Sequence, residues 1–509
     1  MSQNKTVDSI KVRMYRHGFG DCFLVSFMAE GSRCFSMLID CGLKKNAANG
    51  NSLINEVVTD LKRELVHEGS LEPRLDVLVI THEHWDHLSA FLPTEDINHF
   101  KDFKIGQVWL PWTENPEDEE AVQINSRLRK GAVALGLGAA KLAKVEEEES
   151  ELMARFGGGA AIAKGRSDFH QQLNEVLGFY GFSVKEVSEN EIRFDPDGKV
   201  SIESQRAMEN VIELGKSSNG ILYLAPGSEV NGAGLPSGIK VHVLGPPRNS
   251  LIHKSNPSAG QNKETYFGFE NGGLTGMVDG LLSMGLDNPN PTAPDPSRPF
   301  KQGRGMTVNE ASQDSFFQQH YFNPEEKHRR IENSWLNVVG QFALQLDSAT
   351  NNTSLVLAIE LEKSGKILLF PGDAQVGSWL SWHAYEWNSQ GSQKRTTQEL
   401  LERTVLYKVS HHGSHNATVK EKGLEMMTHP DLVAMIPEKE KSYNGILHQP
   451  LMEELDRRCK GRVIVSADIQ YPPEDLLTRK PNGLSEEDWE NWKRDLHVQG
   501  NYVEYTVWG

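Results

Sequence analysis

The sequence predicts an α/β (α+β) chain, a four-layer αββα sandwich with a large, mostly helical and irregular insertion. Three observations predict it. Apolar runs of strand length gather toward both ends of the chain, and amphipathic helical stretches alternate with them. The stretch between is different in texture, first charged and then rich in Gly, Asn, Pro and Ser. The divisions fall at residues 1–114, 115–345 and 346–509, the first and last being the halves of the sandwich. Within the middle part, residues 219–247 are expected to return strands to the core.

Residues 10–27 read as two strands around the turn His17-Gly-Phe-Gly-Asp21. A third strand, 33–39, ends in Asp40-Cys41-Gly42. Residues 52–67 carry Leu53, Ile54, Val57, Val58, Leu61 and Leu65 at helical spacing. The apolar run 75–80 reads as a buried strand, and 105–110 as another. Residues 116–155 read as a charged helix whose run Glu146 to Glu149 is a solvated face. A helix over 169–179 and strands at 221–225 and 239–244 follow. Residues 255–312 show no sustained period, as expected of a disordered stretch or a functional lid. A helix then runs from 326 to 346, with strands at 354–361 and 366–370. A Trp-rich helix, a strand at 405–409 and alternating elements lead to a last strand at 502–508. No internal repeat is present.

The chain has 509 residues, 38% hydrophobic and 24% charged, as in globular proteins. No apolar run is long enough to cross a bilayer, and the polar start lacks a secretory core. A cytoplasmic location without membrane attachment is the expectation. The formal net charge of -17 disfavours broad capture of duplex nucleic acid. It leaves room for a small anionic substrate held by metals. Four cysteines without a CxxC pair argue against a cysteine zinc knuckle. Cys22, Cys34 and Cys41 read as small core residues in strands.

The feature that carries chemistry is Thr81-His82-Glu-His84-Trp-Asp86-His87, directly after a buried strand. Residues i and i+2 of extended chain point the same way, so His82 and His84 can share one cation. Asp86 and His87 can turn toward a second. Neutral imidazole with carboxylate suits Zn²⁺, or else Mn²⁺ or Fe²⁺.

This HxHxDH motif resembles the metallo-β-lactamase superfamily. Three further segments are similar to its motifs, in order. Ser36-Met-Leu-Ile-Asp40-Cys-Gly42 resembles the strand whose aspartate braces the metal loop. Phe370-Pro-Gly-Asp373 resembles the motif whose aspartate bridges both metals. Lys408-Val-Ser-His411-His412-Gly-Ser414 resembles the motif that supplies the last histidine. Within the superfamily, the chain most resembles the soluble hydrolase domain of competence-type DNA-internalisation proteins. His17-Gly-Phe-Gly-Asp21, Asn351-Asn352-Thr-Ser354 and Leu447-His448-Gln-Pro450 are similar to it. The likeness covers residues 10–112 and 350–470.

The resemblance implies two divalent cations held by His82, His84, Asp86, His87, Asp373 and His411. Asp86, His412 and Asp40 take catalytic parts, and His448 could reach the site from a later loop. One departure stands out. The family's further histidine would end the strand Val241-His242-Val-Leu244-Gly245, where this chain has glycine; His242, inside the strand, is the remaining candidate. The tryptophans Trp379, Trp382 and Trp387 read as packing residues, Lys408 as structural and His415 as a rim residue.

The implied reaction is hydrolysis of a nucleotide or nucleic-acid phosphodiester by a hydroxide bridging the cations, with His411, His412 or a metal-bound water protonating the leaving group. Two alternatives remain. One is another hydrolase of the same fold: a lactonase, thioester hydrolase or phosphocholine esterase. The other is a non-catalytic binding or scaffold protein. Residues 115–345 offer a surface for an oligomer or protein partner.

Overall fold

A computed structural model describes residues 6–66, 72–95, 97–156, 173–182, 202–231, 234–254, 311, 313–323, 339–388, 394–414, 416–439, 447–467, 473–481 and 483–509. The irregular stretch 255–310 and His415 lie outside the described residues, as do the side chains of 146–149.

The chain forms a mixed α/β structure with two large sheets, each partly parallel and partly antiparallel. The first sheet holds β1 (Ser9–Tyr15), β2 (Phe23–Ala29), β3 (Ser32–Ile39), β4 (Arg74–Val79), β5 (Lys104–Pro111) and β6 (Ile221–Leu224) side by side. The second holds β7 (Glu229–Asn231), β8 (Ile239–Gly245), β9 (Val356–Leu361), β10 (Lys366–Phe370), β13 (Thr404–Lys408), β14 (Val433–Lys439) and β15 (Val463–Ala467), in the order β15-β14-β13-β10-β9-β8-β7. A ribbon of β11 (Glu386–Asn388) and β12 (Lys394–Thr396) stands apart. The chain returns at its end through β16 (Leu496–Val498) and β17 (Tyr502–Trp508), and β17 pairs antiparallel with β1.

Strand alternation explains how the sheets pack. Val12, Met14, Met37, Ile39, Val77 and Val79 of the first sheet share one apolar core with Val241, Val243, Leu357, Ile359, Leu368, Phe370 and Met435 of the second. The intervening residues face outward into two further clusters. Leu38 and Leu78 meet Val57, Val58 and Leu61 of α1 (Gly50–Leu65). Ile367, Leu369 and Tyr407 meet Trp379 and Trp382 of the helix Val376–Trp382. Each fully buried aliphatic or aromatic side chain of this kind contributes roughly 1.5–3 kcal/mol.

Most predicted strands are present, whereas the helix Glu203–Lys216 was not predicted. The predicted helix at 326–346 is described only from Val339 and runs on to Asn351, and residues 169–172 of the predicted helix 169–179 lie outside the described residues. Cys34 is exposed, because the first half of β3 has the alternating pattern of a strand with one wet face. Trp387 is buried as expected but sits on β11 rather than on the Trp-rich helix. The middle of the chain supplies β6, which pairs with β5, and β8, which pairs with β9. It also supplies the long charged helix Glu119–Phe156. Among the described residues, no helix is long and apolar enough to cross a membrane.

The strands β3 and β4 run parallel, in register from Met37↔Val77 to Ile39↔Val79. In the second sheet β10 and β13 do the same, with Leu369 opposite Tyr407. The four therefore release Asp40, Thr81-His82, Asp373 and His411-His412 from their carboxyl ends, where open α/β sheets place their functional groups.

Candidate metal centre

Asp40 leaves β3 with φ 56°, in the left-handed region that few residues other than glycine adopt. Its carboxylate accepts from the Thr81 backbone N–H at 2.8 Å and from the Thr81 hydroxyl at 2.7 Å. The Nδ1–H of His87 donates to the same carboxylate at 2.8 Å. Asp40 thus ties the loop after β4 to the ring of His87 and turns Nε2 inward. The loops pack backbone on backbone here. A Cβ at Gly42 would lie 2.2 Å from the Asp86 carbonyl carbon, and one at Gly20 would lie 2.3 Å from the Gly42 oxygen. Only glycine fits either place.

Each of Asp86, His87, Asp373 and His412 offers a ligand atom, and these atoms all lie within 4.8 Å of one another; all four residues are buried. His87 Nε2 is 3.2 Å from Asp373 Oδ2, and His412 Nε2 is 3.3 Å from Asp86 Oδ2 and 3.7 Å from Asp373 Oδ2. The other nitrogen of His412 donates to the Pro437 carbonyl at 2.9 Å, which fixes the tautomer. His411 and His412 have φ 46° and 51°. Strain of this sort, on the order of 1–3 kcal/mol per residue, marks positions held by their surroundings.

His82 and His84 border the cluster. The rings of His82 and His87 are 4.3 Å apart, and His82 Nε2 faces His84 Nδ1 at 3.1 Å. Ser354 Oγ approaches His82 Nδ1 at 3.3 Å and accepts from the Asp373 N–H at 3.1 Å, joining the two sheets. Lys408 is buried between two carboxylates, 2.6 Å from Asp21 Oδ2 and 3.1 Å from Asp373 Oδ1. That ammonium holds one oxygen of Asp373 and leaves Oδ2 facing the histidines.

Burial is the largest influence on these groups, and it disfavours charge. It takes His82 well below the ordinary imidazole value, aided by His87 and His84. His84 falls to about 3 and His411 to about 4 for the same first reason. His87 and His412 move the other way. Burial opposes their charged forms, but Asp373, Asp21, Asp86 and Asp40 together hold His87 well above the usual value. Asp373 and the hydrogen bond with Asp86 raise His412 to about 9 against the same opposition. Asp373 stays well below the carboxylate range, since Lys408, His87 and His412 outweigh its burial. The pocket therefore holds neutral imidazoles at His82 and His84 beside carboxylates that recruit positive charge.

This donor set fits a metal ion. Imidazole nitrogens and carboxylate oxygens converge, and buried Asp86 Oδ1 and His84 Nε2 have no hydrogen-bond partner. Such orphans are rare unless something else satisfies them. The buried His/Asp cluster could hold a metal ion.

Of the residues singled out in the sequence, His82, His84, Asp86, His87, Asp373 and Asp40 come together. His412, and not its neighbour His411, belongs to the four-residue group. His411 is half-buried, with Nε2 3.5 Å from Asn351 Nδ2 and Nδ1 3.5 Å from Gln375 Nε2. His242 is fully buried on β8, with Nε2 2.7 Å from Glu360 Oε2, and its partners do not belong to the cluster. A histidine at Gly245 would not fit, because a Cβ there meets Ser378 Oγ and Val356 Cγ2 at 2.9 Å. His448 stands at the start of the helix Gln449–Cys459, its backbone N–H donating to the Gly413 carbonyl at 3.0 Å. Asp21, Lys408 and Asp347 are site residues that sequence reasoning passed over. Asp21 stood in plain view in the Gly-x-Gly-Asp turn, and Lys408 lies three residues before His411; Asp347 has no motif around it. Compared with protein-family models, curated proteins and solved structures, the chain finds no match.

Proposed function

We propose that this chain is a metal-dependent hydrolase of the metallo-β-lactamase fold, acting on phosphodiesters of the nucleotide or nucleic-acid class. The observation that carries the reading is the convergence of three distant segments, 86–87, 373 and 412, on one buried cluster of ligand atoms. Two sheets sharing one core, with helices packed behind each, support the αββα sandwich of that fold. The phosphodiester class rests on the resemblance of the motifs to the DNA-internalisation branch.

His82, His84, Asp86, His87, Asp373 and His412 would hold two divalent cations, zinc first among them by donor type. When bound, such ions polarise the scissile bond and lower the pKa of water. The chain's own residues supply the rest. Asp40 and the Pro437 carbonyl fix the tautomers of His87 and His412. Lys408 holds Asp373 so that a single oxygen faces the cluster. His411, half-buried at the edge with a depressed pKa, is placed to exchange a proton with a leaving group.

The test is metal analysis of the purified chain with a hydrolysis panel. It compares bis-nitrophenyl phosphate, nucleotides and short single strands with lactones, thioesters and phosphocholine esters. Zinc content near two per chain with turnover of a phosphodiester is expected, and Asp86→Ala should abolish it. Full activity in Asp86→Ala would show the site to be wrong. Turnover of acyl esters alone would change the substrate class, and metal occupancy without any turnover would favour a scaffold.

A further inference from the structure

Beside the four-residue cluster, two buried atoms face each other and neither has a hydrogen-bond partner. They are His84 Nε2 and Asp347 Oδ1, 4.0 Å apart. His84 is 1% exposed and Asp347 8%. The other oxygen of Asp347 accepts from Asn351 Nδ2 at 3.2 Å, which aims the carboxylate. Phe179 stacks on the His84 ring at 5.3 Å, and Tyr180 meets it edge-on at 5.4 Å. Aromatic rings thus cover two sides of the imidazole, and Asp347 is the acidic group that faces its outer nitrogen.

The inner nitrogen of His84 is already engaged. Nδ1 looks at His82 Nε2 across 3.1 Å, so the two rings turn ligand atoms toward one point. An imidazole that binds a cation through one nitrogen carries its proton on the other, and in a dry pocket that proton needs an acceptor. Closing 4.0 Å to a hydrogen-bond length of about 2.8 Å takes a small movement of either side chain.

We infer that Asp347 is a positioning residue for His84: its Oδ1 accepts the Nε2 proton and so holds Nδ1 as the ligand atom beside His82. The role rests on the proposed metal reading. It matters more here because this chain has glycine at 245, where a Cβ would meet Ser378 Oγ and Val356 Cγ2 at 2.9 Å. The helix Val339–Asn351, ahead of β9, then contributes to the metal centre through Asp347.

The experiment is a Co²⁺ titration of the cation-free chain and of Asp347→Asn, Asp347→Ala and Asp347→Glu. It follows the visible d–d bands and competition with a chromophoric chelator. Thermal melting without cation controls for folding. Asp347→Ala should weaken one class of bound cobalt by about 10–100-fold and alter its bands. Asp347→Asn keeps the shape and one acceptor oxygen, so its loss should be smaller, and Asp347→Glu should recover part of the affinity. Wild-type affinity and bands in all three variants would overturn the role and leave the metal reading standing. A wild-type chain that takes up no cobalt would overturn both.

Discussion

Replacing His412 with Gln, and separately His411 with Gln, separates the two neighbours as ligands. His412 Nε2 stands 3.3 Å from Asp86 Oδ2, with Nδ1 anchored on Pro437, whereas the nitrogens of His411 face the amides of Asn351 and Gln375. A structural zinc site with four protein ligands is worth roughly 10–16 kcal/mol, or about 2.5–4 kcal/mol per ligand. At about 1.4 kcal/mol per decade, losing one ligand weakens zinc by roughly two to three orders of magnitude. His412→Gln should show that loss in competition with a chromophoric chelator at pH 7.5. His411→Gln should lose about tenfold, the lower end of the range expected of a residue outside the ligand set. Melting of the zinc-free variants guards against misfolding, since the His412 ring also packs 4.1 Å from Phe19. If His411→Gln loses as much zinc affinity as His412→Gln, or more, the ligand assignment drawn from these distances is refuted.

Lys408→Met leaves the carboxylates of Asp21 and Asp373 buried without their shared ammonium. Urea denaturation of the cation-free variant should show a loss of about 3–5 kcal/mol, part of which added zinc restores. Glu114 gives a pH signature. Burial first, and then the charge of Glu83, push its pKa up to about 7. An acid that holds its proton more tightly when folded favours the fold below the unfolded value near 4.5. That advantage is lost as pH rises through 7. Melting should therefore fall between pH 5 and 8, by up to about 3 kcal/mol of stability, and Glu114→Gln should flatten the slope. Gly42→Ala forces a methyl group onto the Asp86 backbone at 2.2 Å. It should cost about 3 kcal/mol or more and weaken zinc binding, measured by melting and by the same chelator assay.

Much of this site could be read before any coordinates, because its chemistry is concentrated in short runs that follow apolar strands. Thr81 to His87 is such a run, and so is Phe370 to Asp373. A strand of period 2 that ends in an unusual density of histidine and aspartate shows both its geometry and its purpose locally. The choice between His411 and His412 was not local. It turns on two left-handed residues and on the Pro437 carbonyl, 25 positions away. Asp347 was harder still. A single aspartate on a helix carries no periodic signal, and it gains meaning only when Phe179, Tyr180 and His84 close around it. Lys408 passed as a structural residue because lysine before a loop is commonplace. Burial between Asp21 and Asp373 is what makes it a counter-charge. The exposed Cys34 shows the reverse error, a small residue credited to the core on type alone.

Asp86 and His87 follow a strand of one sheet, Asp373 and His412 follow strands of the other, and the facing pairs are 286 and 326 positions apart along the chain. A cation seated among them would act as a rivet through the seam between two slabs. Neither slab alone would retain half the grip, so loading would come after docking and unloading would loosen both together. At a thousandfold excess over its dissociation constant, such a rivet adds about 4 kcal/mol to the whole, enough for chelation alone to lower the temperature at which both slabs come apart.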